Sequence, residues 1–183
     1  MGIIGFIKNM KRKRSGRNNL FEKVLLEVNN GKFRKGIKFK LYHLYTNSIE
    51  KMWDKIFDIQ MLEYLSKPMV NFTLLKDEPP KNWEINKEYV FKVFNKWSIP
   101  IKEHKVVFEK INENDRVIII TEQNNIVKKL NHKMSMVKKA EKVTGGIEEV
   151  EIYAGIFTLF VAIWVRKFYT HRRDKLREIA KFL

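Results

Sequence analysis

Four histidines, His43, His104, His132 and His171, are the residues of this chain whose type and setting best suit chemistry. Each falls on the apolar side of its segment. His43 follows Phe39 and Leu41 at alternate positions, and His104 precedes Val106 and Phe108 in the same way; His132 lies between Leu130 and Met134, and His171 continues Trp164 and Phe168 at helical spacing. An imidazole titrates near neutral pH and both donates and accepts hydrogen bonds, so such a set can orient an apolar ligand or move a proton. The same placement also suits core or rim histidines satisfied by backbone or water.

Other chemistries find less support. No two histidines have the short spacing that presets a chelate, there is no HExxH arrangement, and the chain has no cysteine, so no metal centre is expected. No Gly-rich phosphate loop, Ser-His-Asp order or glycosidase-like carboxylate pair is present, and no cofactor is expected. Glu103 and Glu109 fall on exposed faces. Glu122 shares a face with Ile118 and Ile120, and reads either as a solvated strand end or as an acid or base. Tyr89, Phe91, Phe108, Met134, Met136, Trp164 and Phe168 lie on inward faces, where they pack a core or wall a ligand.

The elements that must position these residues follow from periodicity. From Ile37 to Tyr45 apolar residues alternate, as in a half-buried strand. Asn47 or Ser48 can cap a helix carrying Ile49, Met52, Trp53, Ile56 and Phe57, and a second short helix, about Ile59 to Leu65, stops before Pro68. Strand-like segments follow at Met69 to Leu75, Glu88 to Phe94, Ile99 to Ile111, Arg116 to Glu122, Ile126 to Val137 and Val143 to Tyr153. Asn112 to Asp115 and Gln123 to Asn125 read as tight reversals between neighbouring strands, Asp77 to Trp83, with Pro79 and Pro80, as a loop, and Gly145-Gly146 as a bulge or bend.

After Gly155 a helical run fills the rest, with Phe157, Phe160, Trp164, Phe168 and His171 as one stripe. The expected fold is α+β: a seven-stranded antiparallel sheet wrapped around the long carboxyl-terminal helix, with two short helices after strand one. The apolar half of that helix, Ile156 to Val165, is expected in the trough, and the basic half, Arg166 to Lys181, outside it.

The chain has 183 residues, an apolar fraction of 44% and a net charge of +16, enough for one domain with an extension. Residues 1–36 carry ten Lys/Arg against two acids and residues 166–183 seven against two, so the excess sits at the two ends. We place the boundary there: 1–36 a basic, partly helical extension with a helical pattern from Leu20 to Val28, and 37–183 the folded domain. Ile3, Ile4, Phe6 and Ile7, followed by Lys8, Lys11, Arg12, Lys13 and Arg14, form a pattern that dips into a membrane interface and meets anionic headgroups, or a solvated tail. Nucleic acid is disfavoured as a partner, because no stacking platform is interleaved with the basic residues. Neither an export signal nor an apolar run of roughly 20 residues is present, which implies a cytoplasmic protein with a peripheral membrane contact as an option. The oligomeric state is not legible.

The element order, with the strings SIEKMWD (48–54), PKNW (80–83), WSIPIKEH (97–104), VKKLNH (127–132) and AGIFTLFVAIWVRKFYTHRR (154–173), resembles the START-like superfamily, also called SRPBCC or helix-grip, near its polyketide cyclase/dehydrase group. The likeness covers residues 37–183. It implies a cavity between sheet and helix in which members carry lipids, sterols, hormones and polyketides, and in which a minority catalyse cyclisation or dehydration. On that reading His43, Tyr89, Phe91, His104, Phe108, His132, Met134, Trp164, Phe168 and His171 face a hydrophobic small molecule or lipid. Non-enzymatic binding is the leading expectation. A cyclase/dehydrase-type enzyme using His104 or His132 is the first alternative, and a membrane-surface or nucleic-acid adaptor using the basic ends the second.

Overall fold

The computed structural model describes residues 20–28, 31–75, 83–95 and 100–183. Its first element is a strand, β1 (Glu22–Glu27), antiparallel to β2 (Phe33–Tyr45), with Leu26 opposite Arg34 and Val24 opposite Gly36. The helical pattern over Leu20 to Val28 is therefore corrected to an edge strand, and β2 starts four residues earlier than expected. Along β2 the side chains of Phe39, Leu41, His43 and Tyr45 are buried while those between them face outward, the two-residue period of a pleated strand.

Ser48 caps α1 (Ile49–Phe57) by accepting from the Lys51 amide, and Asp58 caps α2 (Ile59–Ser66) by accepting from the Gln60 and Met61 amides. Then come β3 (Val70–Leu74), β4 (Glu88–Asn95), β5 (Pro100–Asn112), β6 (Val117–Gln123), β7 (Lys129–Ala140) and β8 (Val143–Tyr153). A 3-10 turn (Gly155–Phe157) leads into α3 (Thr158–Ala180).

All neighbouring strands are antiparallel, in the order β1-β2-β8-β7-β6-β5-β4-β3. Consecutive strands from β3 to β8 pair in sequence order, which makes them a meander, and β2 adds to its far edge beside β8. The fold is thus the expected α+β helix grip with one difference, eight strands instead of seven, the extra one being β1. Register shifts at Phe91/Val93, Phe108/Lys110 and Lys138/Ala140 supply the local twist that curls the sheet. No shift occurs at Gly145-Gly146, where the bulge was expected; the β2–β8 ladder runs evenly from Ile37↔Ile152 to Tyr45↔Thr144.

α3 lies on the inner face with Thr158, Ala162, Val165, Phe168, Tyr169, Leu176 and Ala180 buried. Each of its large apolar residues so buried contributes about 1.5–3 kcal/mol. The expected division of the helix into a buried apolar half and an exposed basic half is corrected. The buried stripe runs through both halves, through Ala162 and Val165 and on through Phe168 to Ala180, while Ile156 (89% exposed), Phe157 (57%) and Phe160 (73%) of the apolar half face outward. The physical reason is close approach: Ala162 and Ala180 let the helix backbone sit near the sheet, and α3 is pinned at its far end by the Asn47 amide, which donates to the Ala180 carbonyl.

Candidate functional site

The inner face of the sheet carries a polar row across β5, β6, β7, β8 and β2. His104 of β5 is buried between two partners. The Asn124 amide nitrogen stands 3.1 Å from its Nδ1, and its Nε2 is 2.9 Å from Glu122 Oε2 on β6. The Asn124 oxygen is occupied by the Ile126 and Val127 amides, so its NH2 faces His104. His104 Nδ1 therefore accepts, and its Nε2–H donates to Glu122.

Tyr169 of α3 reaches down to join two strands. Its hydroxyl donates to Glu122 Oε1 at 3.1 Å and lies 3.2 Å from His132 Nδ1 on β7. With one proton on the hydroxyl committed to the carboxylate, Nδ1–H of His132 is the donor in the second contact. Beyond it, His132 Nε2 stands 3.6 Å from Glu148 Oε2 on β8, and His43 Nε2 of β2 stands 3.5 Å from Glu148 Oε1. The sequence Asn124, His104, Glu122, Tyr169, His132, Glu148, His43 is thus one connected polar path, tight at the Asn124 end and looser at the His43 end. Its loose end leaves His43 Nδ1, His132 Nε2 and Glu148 Oε2 buried without a hydrogen bond.

The electrostatics follow from burial opposed by these partners. Burial by itself would raise Glu122, but the His104 hydrogen bond, the neighbouring His104 and His132 imidazoles and the Tyr169 hydroxyl hold it at about 2. Glu148 is pulled well below the carboxylate range against the same burial penalty, by His132 and His43. Burial, reinforced by the Glu122 carboxylate, pushes the Tyr169 hydroxyl far up, and Tyr45 moves the same way beside Glu148, so both phenols stay protonated. Buried carboxylates of this kind persist only where partners compensate their lost hydration. A path of alternating imidazoles, carboxylates and one phenol can orient a ligand's polar group or pass a proton.

Apolar rings flank the His104 end. Trp164 stacks on Phe168 with centroids 5.7 Å apart, Phe168 meets Phe72 at 6.4 Å, and Phe72 meets Phe91 at 5.8 Å and His104 at 6.1 Å. Under the other half of α3 the trough is filled. Tyr45, Ile56, Leu65, Met134, Glu148 and Leu176 bound a space of only about 20 Å³, room for a single water. A hollow of about 600 Å³ lies on the outer face of the sheet, where Lys38 bridges Glu149 and Glu151, and its lining takes in His132 of the polar path.

The structure distributes the expected site residues as follows. His43, His104 and His132 converge on the polar path. His171 does not; its Nε2 lies 2.8 Å from the Lys67 carbonyl, at the turn after α2. Phe91, Trp164 and Phe168 share the aromatic line. Tyr89 and Phe108 pack instead with Trp83, whose ring lies 4.8 Å from Phe108, and the Tyr89 hydroxyl accepts from the Glu84 amide. Met134 borders the small filled space. Lys8, Lys11, Arg12, Lys13 and Arg14 lie outside the described residues. Among the described residues no group of three His, Asp or Glu side chains is arranged to hold a metal ion.

Three members of the path were not singled out by sequence. Glu148 sits among Glu149 and Glu151, but it alternates with Val150 and Ile152, and that period marks it as inward. Tyr169 lies one position off the stripe assigned to the helix. Asn124 was read only as part of a turn.

By sequence, the chain matches no family model and no curated protein. Solved structures do match. The Zhui aromatase/cyclase from Streptomyces sp. R1128 superposes with a TM-score of 0.62 at 8% identity, over 79% of this chain and 93% of that one. A START superfamily protein from Mycobacterium smegmatis gives 0.56 at 9% identity, over 78% and 98%. A conserved protein from Geobacillus kaustophilus gives 0.57 at 8%, over 79% and 95%. The architecture is the START-like helix grip, as the sequence strings implied. These likenesses extend along nearly the whole length of the matched proteins. Among the described residues no helix is long and apolar enough to cross a membrane.

Proposed function

We propose that the chain binds a hydrophobic small molecule or lipid between the sheet and the amino-terminal half of α3, without transforming it. The observation that carries this reading is the aromatic line Trp164, Phe168, Phe72 and Phe91 ending on His104. It leads from a partly exposed ring, Trp164 at 39%, to a buried hydrogen-bonding group. Binding sites for greasy ligands combine an apolar wall with a few placed polar groups in this way. The helix-grip neighbours, among them a START superfamily protein, support the reading.

The test is a titration with a fluorescent fatty-acid analogue. Wild-type protein gives saturable binding, and Trp164→Ala with Phe72→Ala weakens it by roughly tenfold or more, the loss of two aromatic contacts. Absence of saturable binding in the wild type defeats the proposal.

A second reading is favoured by one observation, the polar path from His104 to His43, hydrogen-bonded as far as His132, which is more than a passive apolar carrier requires. On this reading His104, or His132 behind Tyr169, acts as acid or base in a cyclisation or dehydration, and the Streptomyces neighbour, named an aromatase/cyclase, lends support to the first of these. His104→Phe with His132→Phe then leaves binding in place and removes turnover of a polyketide substrate; unchanged turnover removes this role.

A further inference from the structure

The outer face of the amino-terminal half of α3, with the 3-10 turn before it, has a specific setting. Ile156, Phe157, Leu159, Phe160 and Ile163 are all at least half exposed, over the 3-10 turn and the first turns of the helix. The β6–β7 turn stands beside them, because the Lys128 amide donates to the Tyr153 carbonyl at 3.0 Å, and it presents Ile126, also exposed. Two separate connections thus carry apolar side chains to one end of the sheet. The charges carried by the helix segment itself are of one sign: residues 154–173 hold Arg166, Lys167, Arg172 and Arg173 and no Asp or Glu, and Lys128 is exposed on the neighbouring turn. Lys167 continues the exposed stripe of Phe160 and Ile163 at helical spacing.

We infer that this end of the molecule is a docking surface for an anionic lipid bilayer, with Phe157 and Phe160 entering the interface and Lys128 and Lys167 meeting headgroups. Charge decides between the occupants. A second copy on the same patch would bring Lys128, Arg166 and Lys167 against themselves, in a chain of net charge +16. An anionic membrane satisfies both the apolar and the basic side chains. The inference goes beyond the ligand reading and does not rest on it, since these side chains lie outside the polar path and the aromatic line.

The absence of cysteine allows a direct test on the full chain. Phe160→Cys carries the single thiol, labelled with a polarity-sensitive dye, and Lys138→Cys on β7 serves as the distant control. With vesicles of phosphatidylcholine and phosphatidylglycerol in equal parts, the label at 160 shifts to the blue and is quenched by brominated lipid, while the label at 138 does neither. In co-sedimentation Phe157→Ser with Phe160→Ser weakens binding by roughly tenfold or more, and added salt weakens the wild type. The fluorescent fatty-acid titration is unchanged in that variant. Wild-type vesicle binding by the double variant, or an unresponsive label at 160, overturns the inference and moves the contact elsewhere, such as to Lys8 to Arg14. A dimer in sedimentation velocity that dissolves in the double variant overturns it in favour of a second copy.

Discussion

Gly146 faces His43 across the β2–β8 ladder so closely that a Cβ at Gly146 would stand 2.5 Å from His43 Cδ2 and 2.9 Å from its Nε2. The glycine is there to admit the imidazole that approaches Glu148. Gly146→Ala must displace a buried ring, an overpacking that costs about 1–3 kcal/mol. Urea denaturation measures the loss. Gly31, where a Cβ would meet no atom within 4 Å, is the contrast in packing, although its positive φ of 75° makes a side chain costly for a different reason.

Tyr169→Phe keeps the ring but removes the hydroxyl shared by Glu122 and His132. Both partners stay buried with one contact fewer, which costs about 1–3 kcal/mol. The destabilisation is expected by chemical denaturation, with the fold intact by circular dichroism. If the variant is as stable as wild type, the hydroxyl is not a link between the two strands.

The depressed carboxylates fix the sign of the acid response. Glu122 is held at about 2 in the folded chain against an ordinary value of 4.5, so it binds its proton more readily when unfolded. Its contribution is fully present above about pH 4.5, fades as pH falls toward 2, and is absent below that. Glu148 acts in the same direction. Thermal unfolding followed from pH 6 down to pH 2 should show a steep fall in Tm for wild type and a shallower one for Glu122→Gln. Equal slopes would show that Glu122 is not the group responsible.

The buried and exposed faces of α3 give a pair of opposite expectations. Ala162 is fully buried against the sheet, so Ala162→Leu forces the backbones apart and costs about 1–3 kcal/mol. Ile156 is almost fully exposed, and Ile156→Ser changes stability by less than about 0.5 kcal/mol. Had the large apolar side chains of this segment formed the gripping face, Ile156→Ser would be the damaging change.

What the sequence revealed and what it hid have physical causes. The strands were legible because alternation at residues such as Phe39, Leu41 and His43 reports a local geometry. The turn at Asn112 to Asp115 was legible for a similar reason: the Asn112 side chain and Asp115 close it on each other. β1 was not, because Leu20, Val24 and Val28 also fit a helical period, and the edge strand exists only through its pairing with β2, a nonlocal partner. The face of α3 was misjudged because large side chains outweigh small ones in any apolar count, whereas Thr158, Ala162 and Ala180 set the closest approach. Three histidines of the path could be picked out by period alone. Their partners could not: Glu148 is one of three acids within four residues, and Tyr169 touches strands far away in sequence.

The central claim is that an apolar molecule occupies the space between the sheet and α3. Native mass spectrometry of the gently purified full chain tests it most directly. The account predicts a population heavier than the bare chain, whose extra mass is released on denaturation, extracts into organic solvent and is lost in Trp164→Ala with Phe72→Ala. A spectrum of bare chain alone, from protein that also fails to take up added fatty acids or other apolar small molecules, would contradict it.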